Sequence, residues 1–267
     1  MSDKSYGVTL QTYLNNELDG ITEELRINGY SLLENVLSNE ELIICREKLD
    51  TIYEDQKKHF GEDNLIKIKE KDLARCLLVY DDYFLSLATN KRILDIIEKI
   101  LGNYFILHLQ NGIINKPNEE HHQSSWHRDL PYQNFVISKP LSINALYCID
   151  DFTIDSGSTF ILPHSHREES VPSSQYIEKH CKQLIAKAGS VFLFDSMLFH
   201  KAGDNSSTFV RRAINNVYTA PILKQQINLP EYLQGKYSDD VFLSKFLGYQ
   251  SNSALSDVEW REKRLKK

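Results

Sequence analysis

A change of hydrophobic period at Gly102 sets the fold class of this chain. Before it, apolar residues recur at helical spacing, as in Leu42, Cys45, Leu49 and Ile52, or Ile93, Leu94, Ile96, Ile97 and Ile100. After it the period falls to about 2, with Phe105, Leu107 and Leu109 alternating with Ile106, His108 and Gln110. Further strands are expected over 141–149, 159–162, 190–195 and 209–218, separated by turn residues such as Asp155-Ser156-Gly157 and Gly203-Asp204-Asn205. Helices followed by many short strands predict a mainly β fold with flanking α-helices, a double-sheet jelly roll. Fourteen Tyr and twelve Phe against eleven Gly favour that β-rich reading over a helical bundle.

The helical part carries its own punctuation. Residues 21–28 read as a helix closed by Asn28-Gly29, followed by a short strand, Tyr30-Ser31-Leu32-Leu33. Ser38-Asn39-Glu40-Glu41 is a capping box opening the second helix, and a third runs over about 90–101, stopped by Gly102. Ser256-Asp257-Val258-Glu259 is a further capping box, in a charged tail expected to fray into solvent. No repeat or linker divides the chain, so 1–267 is expected to be one domain: helices over about 10–101, a jelly-roll core over about 102–222 and a helical tail over about 228–267.

Composition narrows the function. Hydrophobic residues at 41% and charged residues at 25% are those of a folded protein, and a net charge of −6 gives no footprint for nucleic acid. The N-terminal residues contain no apolar h-region and no stretch approaches the ~18 apolar residues of a membrane span. A soluble, cytoplasmic protein with a small-molecule substrate is expected, with neither nucleic acid nor membrane as partner; the oligomeric state is not legible. Cys45, Cys76, Cys148 and Cys181 form no C-x-x-C pair and read as reduced thiols.

The chemistry concentrates around Trp126-His127-Arg128-Asp129. On an extended strand, residues i and i+2 point to the same side, so His127 and Asp129 reach one ion while Arg128 points away. His200, just after the strand ending at Asp195, is the best third ligand. Two imidazoles and one carboxylate on one face of a metal form the ligand set of non-haem Fe(II) oxygenases and leave positions open. Eleven residues after His200, across the polar turn 203–207, Arg211 is expected on the next antiparallel strand, its guanidinium placed to bind a carboxylate bidentately. Its neighbour Arg212 is the natural holder of a surface salt bridge, and strand register decides between the two. His59 and His180 read as solvent-facing, His121 and His122 as bordering the site, and His164 and His166 as turn residues.

These residues resemble the phytanoyl-CoA dioxygenase-like family of Fe(II)/2-oxoglutarate oxygenases. The resemblance rests on the ordered run of His127-x-Asp129, Asp151-Phe152 with Ser156-Gly157-Ser158, Leu162-Pro163-His164-Ser165-His166, 189–195 before His200, and Arg211. It implies a double-stranded β-helix of the cupin-like type. It also implies Fe(II) held by His127, Asp129 and His200, 2-oxoglutarate as cosubstrate with its distal carboxylate on Arg211, and dioxygen as the oxidant. Gln110 resembles a position lining the 2-oxoglutarate pocket. The chain departs from the family pattern at Ala202, where a hydroxyl residue is usual, and at His164, where the turn usually has Gly.

Hydroxylation of a small molecule is the expected reaction. The carboxylate at Asp129 argues against halogenation, in which a small residue makes room for chloride. His108, Tyr132, Gln133, Asn134 and Lys139 are candidates to touch substrate. No Gly-rich phosphate cradle or basic cluster supports a CoA ester. The rival readings are a metal-dependent hydrolase or isomerase on the same barrel, which leaves Arg211 unexplained, and a non-catalytic metal-binding module.

Overall fold

The computed structural model describes residues 13–130, 133 and 135–265. Helix α1 (Glu17–Asn28) is capped by Asn16, whose side chain accepts from the Asp19 amide. It ends at Gly29, which has φ +86°. A side chain there would need a left-handed backbone and would also strike His166 Nδ1 and Leu198 Cδ1, so glycine is required twice over. Strand β1 (Tyr30–Leu33) follows, then α2 (Asn39–Phe60). Both arms of the Ser38–Glu41 capping box form, at 2.7 and 3.2 Å.

The chain continues through α3 (Glu62–Lys67), β2 (Leu73–Arg75), α4 (Leu77–Tyr80), α5 (Tyr83–Ala88) and α6 (Lys91–Leu101). The second half holds β3 (Ile106–Asn115), β4 (Ser142–Cys148), β5 (Phe160–Ile161), α7 (Ser174–His180), β6 (Lys182–Gln183), β7 (Val191–Asp195), β8 (His200–Lys201) and β9 (Arg211–Thr219). Three helices close the described chain: α8 (Leu229–Tyr232), α9 (Val241–Phe246) and α10 (Asp257–Leu265). None of the described helices is long and apolar enough to cross a membrane.

Six strands form one antiparallel sheet in the order β1-β7-β4-β9-β3-β2, and three form a second, β6-β5-β8. Alternation along the large sheet divides its side chains between two cores. Ile143, Ala145, Tyr147, Leu193, Ile214 and Tyr218 join the buried faces of α2 and α6. Leu146, Cys148, Phe192, Phe194 and Ala213 face inward to meet Phe152, Ile161, Leu184 and Leu198. A sheet backed by helices on one side and covered by a second sheet on the other is the expected jelly roll.

Three expectations need correction. The strict alternation from Phe105 to Gln110 is broken by a β-bulge: Leu107 pairs with Tyr218 but Leu109 pairs with Val217, leaving His108 as the extra residue. The turn 203–207 does not return the chain as a neighbouring strand. It carries the chain from β8 in the small sheet to β9 in the large one, where β9 lies between β4 and β3. In the tail, α10 buries nothing, but α9 docks through Phe246 into the helix-side core. There Ser256 Oγ accepts from the Glu259 amide, while the Glu259 carboxylate accepts from the Leu255 amide, so the second arm of that capping box is displaced by one residue.

Candidate metal centre

His127 and His200 face each other across an antiparallel bridge. The His127 amide donates to the His200 carbonyl at 3.0 Å and the reverse bond is 3.1 Å. This puts both rings on one side, 4.3 Å apart between centroids. Asp129 is fixed by its own amide, which donates to the Ser196 carbonyl at 3.0 Å. One carboxylate oxygen of Asp129, Oδ1, then lies 3.6 Å from Nε2 of His127 and 3.6 Å from Nε2 of His200. Ligand atoms of the three residues all fall within 4.8 Å of one another. Arg128 points away, donating to the carbonyls of Met197, Ser165, Glu168 and Glu169.

The tautomers suit a metal. His127 Nδ1 is 2.8 Å from the Ser125 carbonyl and His200 Nδ1 is 2.9 Å from that of Leu198. A carbonyl only accepts, so each Nδ1 carries a proton, and in the neutral form of each ring Nε2 presents its lone pair beside Asp129. Burial opposes charge on Asp129, yet His200 and His127 beside it, with Asn144, hold its carboxyl below the usual carboxylate range. Burial and the neighbouring His200 push the His127 imidazole down, toward its neutral form. Burial also opposes charge on His200, but the Asp129 carboxylate outweighs it and pushes that imidazole up, so a divalent cation entering the cluster would take the place of the proton shared there, on a donor set of two imidazoles and one ionised carboxylate.

Arg211 lies on the inward face of β9 and lines a cavity of about 30 Å³ together with His127, Asp129 and His200. Its guanidinium is buried, stacks 4.7 Å from the Phe152 ring centroid, and donates from Nη2 to the Gly157 carbonyl at 2.7 Å. Nε has no partner, and among the described residues no carboxylate stands within 4.0 Å of it. Burial lowers its pKa to about 10, which leaves it cationic at neutral pH. Arg212 points to the helices and forks onto Asp50 of α2 at 2.8 and 2.8 Å, with Asp150 at 3.0 Å. The register thus separates the two arginines by role. Gly157, with φ +69°, makes the carbonyl contact possible, because a Cβ would sit 2.5 Å from Asn115 Nδ2 and from the Gly203 carbonyl.

The other sequence candidates divide. His108, in the bulge, is close enough to feel the Asp129 charge, and its buried Nδ1 lacks a partner. His121 is buried near Arg211 and His127, with Nδ1 accepting from the Gln123 amide at 3.2 Å and Nε2 unpartnered. His122 stacks beside it.

Gln110 is not at the cavity. Its side chain accepts from the Leu78 amide at 2.9 Å and donates to the Phe84 carbonyl and Asn216, tying α4 and α5 to β3 on the helix side. Lys139 is also elsewhere. It lines a larger cavity of about 560 Å³ between α1, α6 and residues 137–140, whose walls include the helix-side residues Ile143 and Asp195. That cavity lies across the large sheet from the metal cluster. Gln133 donates to the Phe135 carbonyl at 3.0 Å and does not line the small cavity. Tyr132 and Asn134 lie outside the described residues. His164 has φ +68°, the conformation a Gly would take, and with Arg167 it accepts the task of satisfying the last carbonyls of α1.

Sequence reasoning missed the polar residues around the cluster: Gln123, Thr159 and Asn215 on the cavity wall, and Asn144, which donates to Asp129. A lone amide on the inward face of the apolar strand 142–148 was the visible signal for Asn144.

The phytanoyl-CoA dioxygenase family model matches residues 25–213, and the chain belongs to that family. An uncharacterized protein of Mycobacterium tuberculosis is 33% identical over 220 residues, covering 80% of each chain. The ectoine dioxygenase of Nocardia farcinica is 26% identical over 226 residues, 72% of this chain and 74% of its own. The fold is similar to that of EctD from S. alaskensis, solved with 2-oxoglutarate and 5-hydroxyectoine, at a TM-score of 0.67 with 19% identity over 79% of each chain. It is also similar to SnoN, an α-ketoglutarate-dependent epimerase of nogalamycin biosynthesis, at a TM-score of 0.55 with 20% identity over 76% of this chain and 83% of that one.

Proposed function

We propose that this chain is an Fe(II)- and 2-oxoglutarate-dependent oxygenase that hydroxylates a small-molecule metabolite, with succinate and CO2 as coproducts. The observation that carries the reading is Arg211. A buried cation with no carboxylate beside it among the described residues, next to a two-His, one-carboxylate cluster, fits a dicarboxylate that meets the metal at one end and the arginine at the other. A hydrolytic metal site gives that arginine no task.

Nε2 of His127, Nε2 of His200 and Oδ1 of Asp129 would hold the iron, which when bound supplies the oxidising chemistry with dioxygen. The residues of the chain do the rest. Arg211 orients the cosubstrate through its distal carboxylate, and Phe152 beneath the guanidinium keeps water from that end. His108, with a buried ring nitrogen in want of a partner near Asp129, is a substrate contact. The ectoine dioxygenases among the relatives and the EctD structure with 5-hydroxyectoine support a small polar substrate.

The test is a succinate-release screen over metabolite pools with Fe(II), 2-oxoglutarate and air, followed by mass measurement of the product. Gain of one oxygen is expected, and Asp129→Ala abolishes it. Turnover with zinc under argon, or full succinate formation by Asp129→Ala, overturns the reading.

A further inference from the structure

The two carboxylate oxygens of Asp129 have different surroundings. Oδ1 faces both imidazoles at 3.6 Å. Oδ2 accepts a hydrogen bond from Nδ2 of Asn144. Asn144 is fully buried on β4, and its amide cannot rotate without loss. Its Oδ1 accepts from the Ser196 hydroxyl, which in turn contacts Ser142 Oγ at 2.6 Å. Its Nδ2 also lies 3.4 Å from Oδ1 of Asn215 on the cavity wall. A flipped amide would set its oxygen against two acceptors, the Asp129 carboxylate and Oδ1 of Asn215, with no proton between them, so these neighbours fix the orientation.

The same Ser196 holds the Asp129 backbone through its carbonyl, and the Ser196 amide donates to the Ser142 carbonyl at 3.2 Å. Main chain and side chain of the ligand are thus both referred to one short stretch of β4 and the turn after β7. Such a network is costly to bury unless every member is satisfied, and it serves one oxygen of one carboxylate.

We propose that Asn144 is a positioning residue that restricts Asp129 to ligating the metal through Oδ1 alone. This rests on the Fe(II)/2-oxoglutarate reading. A carboxylate bound through both oxygens consumes a coordination position that the chelating cosubstrate or dioxygen needs. An amide N–H on Oδ2 occupies the lone pair that would otherwise turn to the metal, and it leaves the carboxylate charge in place.

The experiment is an anaerobic titration of the full-length protein in two stages, Fe(II) alone and then 2-oxoglutarate, followed by the metal-to-cosubstrate absorption band. Asn144→Leu removes the donor at similar volume. Its Fe(II) affinity is expected to stay within about threefold of wild type, while the affinity of the iron-loaded protein for 2-oxoglutarate falls about tenfold or more, the scale of effects from residues behind a metal ligand. Asn144→Thr, which restores a donor on the strand, recovers most of the loss. Equal weakening of both stages marks Asn144 as merely structural and overturns the proposal, as does no change in either. Should Asn144→Leu not fold, Ser196→Ala loosens the amide from its far side and carries the same contrast at smaller amplitude. Wild-type protein that binds Fe(II) but develops no band with 2-oxoglutarate defeats the parent reading instead, whatever the variants do.

Discussion

Replacing Arg211 by Met separates a cost the free protein bears from a benefit only the complex collects. An unpaired buried cation costs several kcal/mol. In the free protein it is offset by the bond to the Gly157 carbonyl, roughly 1.5–3 kcal/mol, and by the Phe152 ring, roughly 1–2 kcal/mol. The sum is close to zero, so Arg211→Met should change the stability of the free protein by no more than about 1 kcal/mol, roughly 2–4 °C. Binding is different. Two charge-assisted hydrogen bonds to a carboxylate at roughly 1.5 kcal/mol or more each amount to about 3 kcal/mol, which weakens 2-oxoglutarate binding on the order of 100-fold.

Thermal unfolding of the metal-loaded protein reads both quantities. With 2-oxoglutarate at about 100 times its dissociation constant, wild type gains about 2.7 kcal/mol. That corresponds to roughly 5–10 °C. At the same concentration the variant gains about 0.4 kcal/mol, on the order of 1 °C. A variant that melts far below wild type in the free state yet keeps the full ligand-induced shift would refute the reasoning, because Arg211 would then be a structural cation.

Arg212→Met gives the opposite pattern: it releases β9 from Asp50 on α2 and removes one bond to Asp150, which keeps Arg46 at 2.7 Å and the residue-212 amide at 2.9 Å, lowering stability by about 1–2 kcal/mol in denaturant melts with 2-oxoglutarate affinity unchanged. Gly157→Ala forces a Cβ against backbone and Asn115 at positive φ, and is expected to cost about 2 kcal/mol or more while weakening 2-oxoglutarate binding through the displaced carbonyl; a neutral effect on both contradicts the role given to this turn. Burial raises the Asp195 carboxyl from 3.8 to about 6. A raised acid binds its proton more tightly when folded, so the contribution of Asp195 to stability falls as pH rises from about 4 to 6 and is flat above. Asp195→Asn, which keeps an acceptor for the Met197 amide, should therefore be more stable by about 3 kcal/mol at pH 7 and equal to wild type below pH 4; an equal gain at both pH values would show that charge is not the cause.

Local physics made much of this molecule legible from its sequence. The capping box at Ser38, the Gly29 terminator and the apolar face of α2 depend on residues within one or two turns of one another, and they form where the pattern puts them. The His127–Asp129 pair comes together as its two-residue spacing suggested, although the segment makes a single β-bridge at His127 and a bend at Asp129 rather than the expected strand. The supports of the site do not have this property. Asn144 meets Asp129 fifteen residues away and Ser196 fifty-two residues away, so its role exists only once β4, β7 and the motif segment have assembled. Short helices such as α4 and α5 are likewise held by tertiary bonds, among them those from Gln110, rather than by any periodic face of their own.

One bulge accounts for the way the first long strand misled. From Leu107, which sits in the helix-side core, unbroken alternation would place Leu109 on the same side and Gln110 toward the cavity. The pairing of Leu107 with Tyr218 and of Leu109 with Val217 absorbs one residue, and every later side chain changes face. Gln110 is thereby turned to α4 and α5, while Ile113 and Arg211 across β3 and β9 share the inner side. The residue left over is His108, which a regular strand would pair and the bulge instead leaves with a buried, unpartnered ring nitrogen, near enough to feel the Asp129 charge. The same insertion that turns Gln110 away from the cavity thus sets His108 apart from the regular alternation of the strand. Nothing in the alternation of 105–110 announces the extra residue, because a His at that place fits either face of a half-buried strand.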